Sequence, residues 1–132
     1  MLMGTEALRP QRSPEDYPMS QTICLALPLL PGAADRDRSE MSACWRGPRA
    51  DSHRASRARH GITREAVWIQ ATPAGDLAVV LLESDDLAAS LGGVATSSDP
   101  FDVWFRDHVL AVHGVDLASP MTLPEQILDY SA

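Results

Sequence analysis

Two β-rich runs stand only six residues apart in this chain, and that spacing constrains the fold more than any other feature. Residues 62–70 (ITREAVWIQ) and 77–84 (LAVVLLES) flank Ala71-Thr72-Pro73-Ala74-Gly75-Asp76. Proline and glycine favour a tight reversal there, so the runs are expected to form an antiparallel hairpin. Pairing Pro73 with Asp76, or Thr72 with Leu77, gives one register. In it Trp68 stands opposite Leu81, Gln70 opposite Val79 and Ala66 opposite Glu83. Side chains alternate along a strand, so the hairpin has two distinct faces. Val67, Ile69, Val80 and Leu82 make an apolar face suited to helices. Arg64, Ala66, Trp68 and Gln70, with Leu77, Val79, Leu81 and Glu83, make a face of mixed polarity.

The other elements follow from periodicity and its interruptions. Residues 1–20 hold three prolines and no repeating apolar pattern, which predicts a disordered leader ahead of one domain over 21–132. Residues 22–27 (TICLAL) are apolar on both sides and are followed by Pro28, Pro31 and Gly32, which predicts a buried strand. A helical stretch over 33–46 opens near Asp35 and Asp37. It breaks at Gly47-Pro48 and resumes to His60, with Gly61 as the left-handed cap. A short helix carries Leu87, Ala88 and Leu91 and is expected to stop at Gly92-Gly93. Ser98-Asp99-Pro100 then opens a last helix whose Phe101, Trp104, Phe105, His108 and Val112 form one stripe, ended by Gly114. Residues 126–130 (QILDY) suit a short edge strand.

The resulting order is βαββα with a possible final strand, an α+β chain with the pattern of a split-βαβ, ferredoxin-like sandwich. Helices cover one face of such a sheet. The mixed face then needs a second layer, and two sheets packed across a two-fold axis would make a homodimer, a dimeric α+β barrel.

Charge and cysteine content narrow the function classes. The chain has 132 residues, with 11 cationic and 18 acidic side chains and a formal net charge of −7. All 11 cations are arginine. Ten of them, with seven acids, lie in residues 1–64, against one arginine and eleven acids in 65–132. Arg46, Arg49, His53, Arg57 and His60 make a basic helical strip without interleaved aromatics. It is a poor nucleic-acid signature and is better read as solvated or paired with acids of the C-terminal half. No run approaches the roughly 18 apolar residues of a membrane span. The first 20 residues lack the apolar core of a secretory signal, and two cysteines make neither a disulfide framework nor a metal set. These features predict a cytoplasmic domain without nucleic-acid or membrane partners. Cys24 and Cys44 are expected in the core, His53 and His60 make no metal site, and Gly92-Gly93 begins no phosphate-cradling pattern.

Several segments are distinctive together: Leu27-Pro28-Leu29-Leu30-Pro31-Gly32, Gly47-Pro48-Arg49, residues 61–68 (GITREAVW), residues 99–105 (DPFDVWF) and His113-Gly114-Val115-Asp116-Leu117. Over residues 22–130 the chain resembles a small bacterial family of unknown function. That family is similar to the dimeric α+β barrels that include antibiotic-biosynthesis monooxygenases. The resemblance implies specialised metabolism and a barrel group whose members are cofactor-free oxygenases, cyclases, isomerases and haem-degrading enzymes. It supplies no catalytic residue, and fold-level likeness fixes no reaction.

The candidate site residues come from the mixed face. Apolar walls with a few polar anchors suit a small-molecule cavity. Glu83 is the candidate general acid or base, diagonal to Arg64 across the hairpin, and His113 a candidate proton relay. Trp68 would stack on substrate, Arg64 and Gln70 would orient it, and Leu81 would line the wall. The competing structural reading makes Arg64–Glu83 a strand-end ion pair and Trp68 an interface plug. His108 reads as a satisfied, semi-buried histidine of the aromatic stripe. The expectation is an enzyme that needs no cofactor or metal and acts on a small aromatic or polyketide-like substrate. Its chemistry would be acid/base cyclisation, including iminium-type (Pictet-Spengler) ring closure, or isomerisation. Cofactor-independent oxygenation of an aromatic and a non-catalytic dimeric binding protein are the alternatives.

Overall fold

A computed structural model describes residues 20–132. The leader expected over residues 1–20 lies outside them except for Ser20. In chain order the elements are β1 (Gln21–Pro28), α1 (Ala34–Arg46), α2 (Ala50–Arg59), β2 (Ile62–Thr72), β3 (Gly75–Ser84), α3 (Leu87–Thr96) and α4 (Pro100–His113). The strands form one antiparallel sheet in the order β1-β3-β2. Together with four helices this is an α+β arrangement compatible with a ferredoxin-like fold.

The hairpin forms where expected, but its register differs. Thr72 pairs with Gly75 around a two-residue turn, so Trp68 faces Val79, Gln70 faces Leu77, Ala66 faces Leu81 and Arg64 faces Glu83. Thr72 fixes the tight turn. Its Oγ1 donates to the Gly75 carbonyl at 2.6 Å and accepts from Ala74 N at 3.2 Å, while Gly75 takes a positive φ of 126° that glycine tolerates best. The register is displaced by two residues, one full period of the strand, so the assignment of side chains to faces survives unchanged. A bulge between Ile62 and Arg64 breaks the alternation. It turns Ile62 into the core while Arg64 stays on the outer face.

The inner face carries the core. Leu25, Ile62 and Leu82 join Leu87 and Val94 of α3 in one buried cluster. Ala78, Leu29 and Val112 form a second. β1 is not buried on both sides as expected: Leu25 is buried, but Cys24 and Ala26 are exposed on the outer face. β1 is an edge strand whose outer face has no covering layer among the described residues.

Glycines set the helix breaks. At Gly47 a Cβ would lie 2.8 Å from the Ala43 backbone, so only glycine admits the close turn between α1 and α2. α4 begins as expected, with Asp99 accepting from Phe101 N at 3.0 Å, and ends at Gly114 with φ 69°. α3 departs from expectation by continuing through Gly92-Gly93 to Thr96. The imidazole of His60 occupies the space beside Gly93, where a Cβ would come within 2.6 Å of Nδ1. Gly93 therefore admits a neighbour, and the glycine pair does not end the helix. Residues 126–130 form no strand. Ile127 and Leu128 are adjacent and would point to opposite sides of any strand, so no single apolar face would be buried by pairing. Both remain at least 80% exposed.

Candidate functional site between sheet and helices

A cavity lies on the inner face, between the sheet and the helices. It measures about 90 Å³. Leu25, Val67, Val80 and Leu82 line it from the sheet, Met41, Phe105 and Val109 from the helices, and Leu117 and Met121 from the segment beyond α4. Five polar side chains interrupt these apolar walls: Asp37, Arg57, Glu65, His108 and His113.

Asp37 and His108 are the most buried of them, at 3% and 2% exposure. Asp37 sits in the first turn of α1, where the helix N-terminus favours a carboxylate. It belongs to the stripe Ala34, Asp37, Met41 and Cys44, which the helical repeat turns toward the core. His108 comes from the aromatic stripe of α4. His108 Nε2 lies 2.8 Å from Asp37 Oδ1, so the ring nitrogen donates and the carboxylate accepts. Trp104 stacks on the imidazole at 5.4 Å and 15° and carries the Arg49 guanidinium 3.8 Å from its own ring centre. The ring is thus held in plane and in position. Asp37 Oδ2 and His108 Nδ1 have no hydrogen-bond partner among the described residues. His108 is therefore not the satisfied histidine expected: it is more deeply buried, and only one of its nitrogens is used. A carboxylate-oriented imidazole with its second nitrogen unpaired is an arrangement that suits a general acid or base.

Glu65 and Arg57 form the second polar group on the wall, and this one is complete. Arg57 Nε donates to Oε1 at 2.8 Å, Nη2 donates to Oε2 at 3.2 Å, and His53 Nε2 adds a third contact at 2.6 Å. The Arg57 guanidinium also lies 4.4 Å from the Phe105 ring centre. Burial pushes the Glu65 carboxyl up, but the His53 hydrogen bond and the Arg57 charge outweigh it and hold it at about 2. A buried charge needs such pairing to be tolerated, which makes this pair a structural brace.

Asp102, fully buried, is a third hub. It accepts from Ser56 at 2.5 Å, Ser97 at 2.6 Å, His60 at 2.8 Å and Arg59 at 3.2 Å. Burial opposes its ionisation, yet the bonds from His60, Ser56 and Ser97 hold the carboxyl well below the usual range. The basic strip is largely absorbed by these contacts: His53 and Arg57 serve Glu65, His60 serves Asp102, and Arg49 lies on Trp104 and 3.6 Å from Glu40.

The residues singled out from sequence divide between the two faces of the sheet. Arg64, Trp68, Gln70, Leu81 and Glu83 lie on the outer face, where Trp68 is 52% exposed. Arg64 and Glu83 are direct cross-strand neighbours, not diagonal ones, and form no ion pair. Glu83 instead accepts from Thr22 Oγ1 at 3.3 Å. His113 alone lines the inner cavity, its Nδ1 donating to the Pro28 carbonyl at 2.8 Å. The sheet separates Glu83 from His113, so the two cannot act on one substrate. Cys24 is exposed, contrary to the core position expected, whereas Cys44 is buried. Burial pushes the Cys44 thiol up to about 11, only partly offset by Arg57.

Sequence reasoning missed Asp37. The signal was present: an acid in the apolar stripe of α1, matched by an imidazole in the apolar stripe of α4. Among the described residues, no group of three or more His, Cys, Asp or Glu is placed to hold a metal ion. No helix among them is long and apolar enough to cross a membrane. Compared with known proteins, the chain matches no family model, no curated protein and no solved structure.

Proposed function

We propose that this protein is a small-molecule enzyme that binds a compact, largely apolar substrate between its sheet and helices and moves a proton on it. His108 is the general acid/base and Asp37 its orienting partner. The observation that carries this reading is that Asp37 and His108, two side chains lining a largely apolar cavity, each keep one buried atom, Oδ2 and Nδ1, without a hydrogen-bond partner among the described residues. In an isomerisation, Nδ1 takes a proton from one substrate atom and returns it to another. Asp37 stabilises the imidazolium that exists between the two transfers. A ring closure uses the same base to remove the proton lost from the ring-forming atom.

Cavity size bears on the substrate. A site of about 90 Å³ is smaller than the ~150 Å³ that holds a benzene ring. The reading therefore favours branched or short-chain molecules over a fully enclosed aromatic or polyketide.

The outer face supports a second copy of the chain as partner. Trp68, Val79, Leu81, Ala66 and Ala26 form an apolar centre there, with no covering layer among the described residues. Two such faces packed together would form the closed barrel, with Trp68 as part of the seal.

The test combines binding and exchange. The protein in deuterium oxide is mixed with four- to six-carbon ketones, whose α-carbons can exchange, and with amines and alcohols of the same size as binding probes. NMR reads shifts of the cavity methyl groups and deuterium gained at carbon. Shifts at Met41, Val67 and Val109 are expected, with exchange reduced at least tenfold in His108→Asn, since acid/base groups typically contribute ~100-fold or more. Shifts confined to the outer face, or exchange undiminished in the folded variant, would overturn the reading.

A further inference from the structure

The hydrogen-bonding character of the cavity identifies what its occupant must bring. His108 Nε2 faces the Asp37 carboxylate at 2.8 Å, so this nitrogen carries the proton and Nδ1 of the neutral ring is left with a lone pair. The other leftover atom, Asp37 Oδ2, is a carboxylate oxygen and can only accept. On the same wall, His113 Nδ1 is engaged with the Pro28 carbonyl. That contact places the proton on Nδ1 and makes Nε2 a third acceptor. The unpartnered polar side-chain atoms on the wall are acceptors, while the Arg57 guanidinium there is turned to Glu65 and Ser56.

The charges point the same way. Arg57 is the one arginine on the wall among the described residues, and it is already engaged by two hydrogen bonds to Glu65 and one to Ser56. An anionic ligand would meet the Asp37 carboxylate with no free cation to compensate, and burying it there would be costly. An ionised amine reverses both balances. It supplies several N–H donors to the acceptors and a positive charge to Asp37, while its hydrocarbon part contacts Val67, Val80 and Val109.

We propose that the cavity is a site for a small primary amine, its ammonium head against Asp37 and His108 and its aliphatic body along the sheet. This names the substrate class of the proposed enzyme and rests on that reading of the cavity.

A matched set of probes tests it: isobutylamine, isobutanol and isobutyrate, which share one branched body and differ in the head group. Each is titrated into the full chain at neutral pH while NMR follows the methyl groups of Met41, Val67 and Val109. The amine is expected to bind at least tenfold more tightly than the alcohol, and the carboxylate not measurably. Asp37→Asn is expected to remove most of the amine's advantage while leaving the alcohol's affinity within threefold. If the alcohol or the carboxylate binds the cavity as well as the amine, the amine assignment is overturned and the cavity reading survives. If none of the three shifts the cavity methyls, both fail. Should Asp37→Asn not fold, the ranking of the three probes on the unmodified chain still decides.

Discussion

His108 and Asp37 lie 71 positions apart in sequence and 2.8 Å apart in space, each less than 4% exposed. The pair joins the first turn of α1 to the middle of α4 across the floor of the cavity. Its stability consequence follows from burial. Asp37→Ala would leave a buried imidazole with no partner at either nitrogen. Such a loss costs about 1–3 kcal/mol. The expected result is a lower urea midpoint with an unchanged slope. Asp35→Ala is the control, two residues earlier on the same helix with a side chain 96% exposed. It should shift stability by no more than ~0.5 kcal/mol. Equal effects from the two substitutions would mean that the buried contact is not formed in solution.

Glu65 makes acid stability a second readout. Its carboxyl drops from an ordinary 4.5 to about 2 on folding. A depressed value means that the unfolded chain takes up the proton first. The stabilisation is therefore complete above about pH 4.5 and is lost as pH falls toward 2. Its size is on the order of 3 kcal/mol. Unfolding free energies at pH 7, 5 and 3 should fall steeply over the last interval. In Glu65→Gln the starting value should be lower, because Arg57 loses its charged partner, and the fall below pH 5 should be shallower. Asp102, shifted in the same direction, leaves a residual slope. A variant with the full wild-type acid slope would remove Glu65 as its source.

How much of this was readable in the sequence differs between elements and site. The hairpin, the break at Gly47-Pro48 and the Asp99–Gly114 limits of α4 are local matters of turn chemistry, and each stands where the residues indicate. The two-residue register error was invisible in the face assignment, since alternation is blind to a shift of one full period. The site was less legible because it is non-local. Glu83 and Trp68 drew attention as polar and aromatic residues on a mixed face, but that face is the uncovered one. Asp37 looked like an ordinary first-turn acid, and only the facing of two helices shows that its partner is His108. Alternation puts Glu65 on the same face as Val67 and Ile69, but that Arg57 and His53 of the preceding helix meet it there is again a matter of packing.

Gly93→Ala offers a test of the close approach between α3 and His60. At an exposed helical position this change normally stabilises by about 1 kcal/mol. Here the added Cβ would sit 2.6 Å from His60 Nδ1, and the ring cannot withdraw without giving up its 2.8 Å contact with Asp102. The expected effect is destabilisation by about 1–3 kcal/mol, typical of overpacking. Combining Gly93→Ala with His60→Ala should recover part of the loss, because the second change removes the atoms that clash. A stabilised Gly93→Ala would show that His60 is free to move.

The two thiols report on the two faces of the sheet. Cys44 is buried and its thiol is raised to about 11, so little thiolate exists near neutral pH and alkylation should be slow in the folded protein. Cys24 is exposed on the outer face of β1, opposite Leu81 in register. Iodoacetamide at pH 8 should therefore modify one cysteine in dilute native protein and both after unfolding, as read by intact mass. If the outer faces pair into a dimer, Cys24 is covered in the assembled form, and its labelling should slow as protein concentration rises. Trp68→Glu places a charge at the centre of the proposed seal while changing a side chain that the single chain leaves half exposed. It should abolish that concentration dependence and give a monomeric mass by light scattering without altering the circular dichroism spectrum. Labelling of Cys24 that stays fast at every concentration, together with a monomeric unmodified protein, would leave the outer face without a partner copy. The cavity on the other side of the sheet would still be intact.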